Sequence, residues 1–124
     1  MNTEFTYLAS PYTPRNKKGE IVNDAATMRK RFKDVCSAAA FLMEKGEVIF
    51  CPIAHSHPIA LQMETKGAAT DGVFWKRQDE PYVELCSKMI VLRLSGWEQS
   101  TGVQHEIDRA KKRGIPIYYM DWEE

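Results

Sequence analysis

The sequence predicts an α/β protein: a three-layer sandwich with a parallel, Rossmann-like or flavodoxin-like sheet of four to five strands. Short apolar runs alternate with longer segments of helical periodicity, which is the pattern of βα units. One run, Met89–Leu94, is almost continuously apolar, as in a parallel strand covered on both faces. Gly46 and Gly114 follow two of the helical segments, where helices commonly end. We therefore expect right-handed crossovers, with helices on both faces of the sheet.

The first half of the chain contains two predicted strands and one long helix. Phe5–Ala9 is a short β-prone run, and Val48–Cys51 is a second buried run that ends at Pro52. Between them a helix begins at Asn23 or Asp24, either of which can cap it. Its apolar positions recur at helical spacing and are Met28, Phe32, Val35, Ala39 and Leu42.

Two segments of the sequence carry a weaker pattern. The polar loop at residues 13–24 is either a mobile flap or an ordinary surface loop. In residues 53–75 we expect a short helix around Ile59–Lys66, followed by turns at the glycines. Asp79–Pro81 has the composition of a helix start, because proline is tolerated in a first turn, and this helix is expected to end near Cys86.

The last third of the chain is a predicted strand, helix and strand. After the strand Met89–Leu94, a helix is expected from Ser100 or Thr101 to Arg113. The final strand is then Ile117–Met120. The complete alternation of strands and helices predicts a parallel sheet.

The composition is that of a single globular domain spanning residues 1–124. Hydrophobic residues make up 44% and charged residues 27% of the 124 residues, so the chain can bury one core but not two. The formal net charge of +0, from 17 basic and 17 acidic residues, gives no general attraction to polymeric nucleic acid or to a membrane surface. The basic runs at 29–31 and 111–113 fall in helical segments and are expected to be solvated faces.

The cysteines and the N-terminus predict a cytoplasmic protein. Cys36, Cys51 and Cys86 form neither a Cys-x-x-Cys pair nor an even set, and each lies beside apolar residues, so we expect reduced, packed thiols. The acidic start at residues 1–4 leads into no long apolar run, which argues against a signal peptide. No stretch approaches the roughly 20 apolar residues that cross a bilayer.

The location of a ligand site follows from the predicted sheet. Parallel α/β sheets bind ligands outside the carboxyl ends of their strands, in the loops that lead into the next helices. This rule selects Ser10, Pro11 and Tyr12 after the first strand, Pro52–His57 after the second and Gly96–Val103 after the third.

The third of these loops has two features of a catalytic site. The segment with Ser100, Gly102 and Val103 opens a helix, so its free backbone N–H groups suit an anion such as a phosphate. At about 100° per residue, Glu106 lies only about 60° from the inward-facing stripe of this helix, whereas Asp108 projects away. Glu106 is therefore the acid of this helix best placed to face the cleft.

Each candidate also has an ordinary structural explanation. Glu106 can be a surface glutamate near a helix N-terminus, and Asp79 and Ser100 can be N-caps. Tyr7 can be a core aromatic residue whose hydroxyl finds one partner. On their own, none of these residues carries a functional assignment.

Histidines and tryptophans form a further group of candidates. His55 and His57 allow a metal site, but their spacing matches no recognised zinc pattern, so a pocket-lining loop that meets a phosphate or a base is favoured. Trp75 and Trp97 are candidates to stack on a base, and core or interface packing explains them equally well.

Four short motifs stand in a fixed order along nearly the whole chain. YLASPY at residues 7–12 is followed by the acid Asp79 and then by GWEQSTGVQHE at residues 96–106. In this order and spacing, they resemble the nucleoside 2-deoxyribosyltransferase superfamily. FCPIAHSHPIA at residues 50–60 and FWKRQD at residues 74–79 make the chain most similar to a branch of short bacterial and phage proteins known only as a domain of unknown function.

The resemblance implies roles for four residues. Glu106 matches the nucleophile of the superfamily, and Tyr7 matches the tyrosine that orients that carboxylate. Asp79 matches the aspartate that handles the proton on the leaving base. Ser100 stands where the transferases carry a sugar-binding aspartate, as in the branch that hydrolyses nucleoside 5′-monophosphates.

The implied substrate is a (deoxy)nucleoside or a nucleoside 5′-monophosphate. With Ser100 one negative charge is missing, which favours a 5′-phosphate, and Ser10 and the Gly102 N–H are candidate contacts for it. Glu106 is then expected to attack C1′ while Asp79 protonates the base, after which water or a second base releases the sugar. This chemistry requires no metal or organic cofactor.

Two other functions fit the same sequence. One is a non-catalytic module that binds a nucleotide and senses it, and the other is a structural or interaction protein with a vestigial cleft. The resemblance also implies a homodimer or a larger symmetric assembly, because relatives complete their sites across subunits. Tyr118, Tyr119 and Trp122 are candidates for such an interface or for packing within the chain.

Overall fold

The computed structural model describes residues 4–22, 24–63 and 72–123. Their helices and strands are β1 (Thr6–Ala9), α1 (Ala25–Glu44), β2 (Ile49–Phe50), α2 (Pro52–Ala60), α3 (Gly72–Leu85), β3 (Lys88–Leu92), a 3₁₀ turn (Trp97–Gln99), α4 (Thr101–Arg113) and β4 (Ile117–Met120). The strands form one parallel sheet in the order β2-β1-β3-β4. The predicted α/β fold with a parallel sheet of four to five strands is therefore confirmed, with four strands in the described residues, and the order is that of a flavodoxin-like sheet.

Helices cover both faces of this sheet, as in a three-layer sandwich. On one face Val83 of α3 and Val103 of α4 belong to the same buried cluster as Tyr7 of β1. On the other face Val35 of α1 packs in a cluster with Leu8 of β1. Because both faces are covered, β1 is buried at every position, which explains its apolar character.

The predicted ends of the long helices are confirmed. Asp24 caps α1, since its side chain accepts a hydrogen bond from the N–H of Thr27 at 3.1 Å; the alternative cap, Asn23, lies outside the described residues. Ser100 caps α4 in the same way. Gly114 ends α4 in the left-handed conformation, with φ of 71°.

The second helix does not lie where the sequence predicted a short helix. α2 begins at Pro52 and ends at Ala60. Of the helix expected at Ile59–Lys66, residues 61–63 are not helical and residues 64–66 lie outside the described ranges. The prediction was wrong because Pro52 was taken only as the end of a strand, whereas proline in the first turn also starts a helix.

The third helix begins earlier than the sequence predicted. α3 is already helical at Gly72, so Asp79 lies in its interior and is not its N-cap. Pro81 therefore lies inside the helix, a position that costs about 3 kcal/mol because proline lacks an N–H and crowds the preceding turn. The next residue, Tyr82, stacks its ring on Phe50 at 3.8 Å between centroids, a contact that contributes about 0.5–1.5 kcal/mol and recovers part of this cost.

The two basic runs are only partly the solvated faces that the sequence predicted. Arg31 is half-buried and donates hydrogen bonds to the carbonyl groups of Tyr12 and Ser95, at 3.1 and 2.8 Å. Arg113 donates to two carbonyl groups at the C-terminal end of α3. Each run thus supplies one arginine that ties separate segments together, while its lysines are exposed.

Two further predictions concern the surface. Tyr118 and Tyr119 are exposed, whereas Trp122 packs against the apolar cluster beneath α1. None of the helices in the described ranges has the length and apolar character that a membrane span requires.

Candidate functional site

A cleft of about 520 Å³ lies beyond the carboxyl ends of β1 and β3. These neighbouring strands form the switch point of the sheet, where its strand order reverses and where such sheets bind ligands. Ser10 and Tyr12 reach the cleft from the loop after β1, and Glu106 reaches it from α4. Helices α2 and α3 form the opposite wall. The loops after the first and third strands thus meet at one site.

Glu106 lines the cleft with Tyr7 directly behind it. Tyr7 is fully buried in β1, and its hydroxyl donates a hydrogen bond to Oε2 of Glu106. Burial raises the pKa of Tyr7 well above its usual value, so the phenol keeps its proton and remains a donor. Val103, Ile107 and Ala110 anchor the buried face of α4, which turns Glu106 toward β1.

Asp79 faces the same cleft from the interior of α3. Burial raises the pKa of Asp79 to about 7. Burial also raises the pKa of Glu106 to about 8; the hydrogen bond from Tyr7 lowers this pKa, and the charge of Asp79 raises it further. At neutral pH the two carboxyl groups therefore share about one proton. The Tyr7 hydrogen bond acts against burial and favours the charged form of Glu106, but the pKa of Glu106 still lies above that of Asp79, so the arrangement with the charge on Glu106 and the proton on Asp79 is the less populated of the two.

The first turn of α4 forms another part of the cleft, with free hydrogen-bonding capacity. Ser100 caps the helix, and Thr101 and Gly102 line the cleft beside it. Ser10 is 5% exposed, and its Oγ has no hydrogen-bond partner in the described part of the chain. Arg15 donates to Oγ1 of Thr101 at 2.9 Å. The helix N-terminus and the guanidinium group together suit an anion.

Three residues predicted to bind substrate are not brought to the cleft. Val103 is buried in the core, and its N–H donates to Oγ of Ser100 at 3.2 Å, so this group is already satisfied. Pro11 is buried and does not line the cleft. His55 is exposed on the outer side of α2, where it borders a separate groove between α2 and α3. Successive residues of an α-helix are about 100° apart, so His55 projects away from the side of α2 on which Ser56 and His57 line the cleft.

Several cleft residues were not singled out from the sequence. They are Arg15, Lys76, Glu80 and His105. His105 directly precedes Glu106, and its Nε2 is buried without a partner in the described ranges. Lys76 lies one helical turn before Asp79, so correct assignment of α3 would have indicated it. Of the two candidate tryptophans, Trp75 lines the cleft, whereas Trp97 packs against the core.

The donor groups do not cluster as metal ligands. Within the residues that the structure describes, no group of three or more His, Cys, Asp or Glu side chains is placed to hold a metal ion. His57 instead makes a contact with Tyr12, at 2.5 Å between Nδ1 and Oη.

Comparison with known proteins identifies one family. A family model described as "Domain of unknown function (DUF1937)" matches residues 4–122, which include every residue of the cleft named above. No curated protein matches the chain.

Proposed function

The chain belongs to the DUF1937 family, and from its cleft we propose that it hydrolyses or transfers the N-glycosidic bond of a (deoxy)nucleoside or a nucleoside 5′-monophosphate. The observation that carries this proposal is the pair Glu106 and Asp79, two carboxyl groups that face one cleft and share about one proton. Such a pair supplies a nucleophile and an acid, which is what cleavage through an oxocarbenium-like transition state requires.

The first step forms a glycosyl-enzyme. A carboxylate oxygen of Glu106 attacks C1′, the C1′–N bond breaks, and its electron pair remains on the departing base. Asp79 gives its proton to that base and becomes a carboxylate. Tyr7 holds the attacking oxygen in place through the hydrogen bond from its hydroxyl.

The second step releases the sugar. Water, or the nitrogen of a second base, attacks C1′, and the bond from C1′ to Glu106 breaks. The proton that the incoming nucleophile loses passes to the Asp79 carboxylate, which restores the starting state. These steps involve only proton transfer and bond exchange at C1′.

The anionic end of the substrate is proposed to lie at the N-terminus of α4. The unpartnered Oγ of Ser10 and the first-turn N–H of Gly102 are suited to phosphate oxygens. Arg15, already at this end through Thr101, supplies a positive charge. Ser100 adds no negative charge, so a 5′-phosphate meets no repulsion from this position.

We further propose that the protein works in the cytoplasm as a homodimer or a larger symmetric assembly. The three cysteines are free, as expected for reduced thiols. Large apolar side chains are exposed on and directly after α2 and on α3, a surface that association of two copies would cover. They are Ile59, Leu61, Phe74, Tyr82 and Leu85.

The proposal is tested by chromatographic measurement of base release from a panel of nucleosides and nucleoside 5′-monophosphates. Glu106→Gln should lower kcat by about 10⁴-fold or more, because it removes the nucleophile. Asp108→Asn is the matched control on the same helix, since Asp108 is exposed and, within the residues that the structure describes, its ion pair is the one with Lys112, at 3.2 Å. This variant should keep the wild-type rate.

The other outcomes identify the competing functions. If the wild type binds nucleotides but releases no base, the enzymatic proposal is refuted and a non-catalytic sensing module replaces it. If the wild type neither binds nor cleaves any member of the panel, a structural or interaction protein is the remaining function. If wild type and Glu106→Gln release base at equal rates, the proposed role of Glu106 as nucleophile is refuted, whereas the glycosidic reaction itself is not.

A further inference from the structure

The side of α2 that faces the cleft carries a histidine locked in one orientation. His57 is 6% exposed, and its Nδ1 lies 2.5 Å from the hydroxyl of Tyr12. Its ring stacks on Phe32 of α1, with 4.3 Å between centroids and an interplanar angle of 26°. One ring nitrogen and one ring face are therefore occupied by the protein, and His57 also lines the cleft.

The contact with Tyr12 determines which nitrogen of His57 carries the proton. Burial lowers the pKa of His57, an effect to which the charge of Arg29 adds, and burial raises the pKa of Tyr12. Both groups are therefore neutral near pH 7. We assign Tyr12 as the donor to Nδ1, because a phenol O–H is a good donor to imidazole, and this assignment places the single ring proton on Nε2. Nε2 has no hydrogen bond within the described part of the chain, which leaves an N–H donor for a ligand.

Next to this donor lies a second free polar group. Ser56 is 8% exposed, and its Oγ is buried without a hydrogen-bond partner in the ranges described. A ligand that bonds to Ser56 removes the penalty of this unsatisfied hydroxyl.

The surroundings of these two groups are apolar. Pro52, Ile53 and Ala60 lie about one helical turn from Ser56 and His57 on α2, and Val73 and Trp75 line the cleft from α3. An apolar surface with a few fixed polar groups suits a flat heteroaromatic ring, whereas a phosphate finds charge and free N–H groups at the N-terminus of α4.

We infer that Tyr12, His57 and Ser56 form the base-recognition surface, and that the Nε2–H of His57 selects nucleobases that present an oxo group over those that present an amino group. The inference rests on the proposed function and names its substrate class. An oxo group accepts the hydrogen bond from His57, whereas an amino group places a donor against a donor. Tyr12 lines the cleft, and in this inference it acts as a positioning residue, because its hydroxyl fixes the tautomer of His57.

The test compares pairs of substrates that differ at this position. The probes are the 5′-monophosphates of 2′-deoxyinosine and 2′-deoxyadenosine, and those of 2′-deoxyuridine and 2′-deoxycytidine. For the pair that the wild type cleaves faster, kcat/KM should be at least about tenfold higher for the oxo member, the effect of one hydrogen bond. His57→Phe should reduce this ratio to within about threefold of one, and Tyr12→Phe should give an intermediate ratio.

Two further variants separate recognition from folding. His57→Gln keeps an N–H donor and should retain most of the oxo preference. His55→Phe makes the same change two residues away, on the exposed side of α2, and should leave the ratio at the wild-type value. An oxo preference that is absent in the wild type, or that persists in His57→Phe, overturns the inference.

A binding measurement distinguishes failure of this inference from failure of the proposed function. Calorimetric affinities of the same four nucleotides are measured for Glu106→Gln with and without His57→Phe. In one outcome the wild type cleaves none of the four nucleotides, yet Glu106→Gln binds the oxo members more tightly and His57→Phe abolishes this difference. The inference about base recognition then stands, and the proposed reaction is refuted. If no nucleotide binds, both are overturned.

Discussion

The two walls of the cleft differ in what they offer a ligand. The wall formed by β1 and α4 holds charge and directed hydrogen bonds: Tyr7 on Glu106, and Ser10 near the first turn of α4. The wall formed by α2 and α3 supplies the apolar side chains of the cleft, among them Ile53, Val73 and Trp75. Its polar groups are Ser56, His57, Lys76, Asp79 and Glu80. Different parts of a nucleotide would therefore bind to the two walls. The β1–α4 wall suits the sugar and phosphate, and the α2–α3 wall suits the base together with the acid that protonates it.

Removal of the acid on the α2–α3 wall should have the largest effect among the tests of this division. Asp79→Asn should lower kcat by about 10²- to 10⁴-fold, because general acid catalysis contributes that much. The loss should be greatest for the most basic leaving base. Rates for a series of bases with different nitrogen basicity check this dependence. A loss that is the same for every base would place Asp79 outside base protonation.

A charge added to the β1–α4 wall should act on the phosphate and leave base preference unchanged. Ser100→Asp should lower kcat/KM for 5′-monophosphates by about 10- to 100-fold through like-charge repulsion, while nucleosides are cleaved as before. Aspartate also caps helices, so α4 should remain intact. Ser37→Asp, at an exposed position on α1, adds the same charge elsewhere and is the control. Equal effects on nucleotides and nucleosides would contradict the proposed place of the phosphate.

The pH profile tests whether the walls work together. Activity requires Glu106 ionised and Asp79 protonated. Below pH about 7 both groups hold protons and the nucleophile is lost; above pH about 8 both are ionised and the acid is lost. We expect kcat/KM to peak between these values and to fall about tenfold per pH unit outside them. A profile that is flat from pH 6 to 9 would show that the two carboxyl groups do not act as a pair.

The smallest expected effect concerns the support of the β1–α4 wall. Arg31 bonds to the carbonyl of Ser95, and a Cβ added at Gly96 would lie 2.7 Å from its Nη2. Gly96→Ala should therefore lower the free energy of unfolding by about 2–3 kcal/mol, from backbone strain and loss of this contact. Gly46→Ala has the same left-handed strain but open space, so about 1–2 kcal/mol is expected. Urea denaturation measures the free energy of unfolding of both variants. Equal losses in the two would show that the Arg31 side chain moves away from the added Cβ at no cost in stability.

The division between the walls also separates what was predictable from what was not. On the β1–α4 side, the signals are local: Ser100 caps α4, Gly114 ends it, and helical periodicity turns Glu106 toward the cleft. On the α2–α3 side, the local signals are prolines, and a proline can end a strand, begin a helix or lie inside one. The predicted starts of α2 and α3, which depended on Pro52 and Pro81, were therefore wrong. Only the position of α2 in the structure shows that His57 lines the cleft, whereas His55 borders the outer groove between α2 and α3.

The sequence by itself determined the parallel α/β fold, the helix ends marked by Asp24, Ser100 and Gly114, and the loops in which a ligand site had to lie. These features depend on residues that are close together in the sequence, because helix capping and hydrophobic periodicity involve only near neighbours along the chain. Only the tertiary structure decided that Tyr7 bonds to Glu106, 99 positions away, and that Tyr12 holds His57. Their pairing and the raised pKa values of the acids arise from burial between packed layers, which joins residues that the sequence leaves far apart.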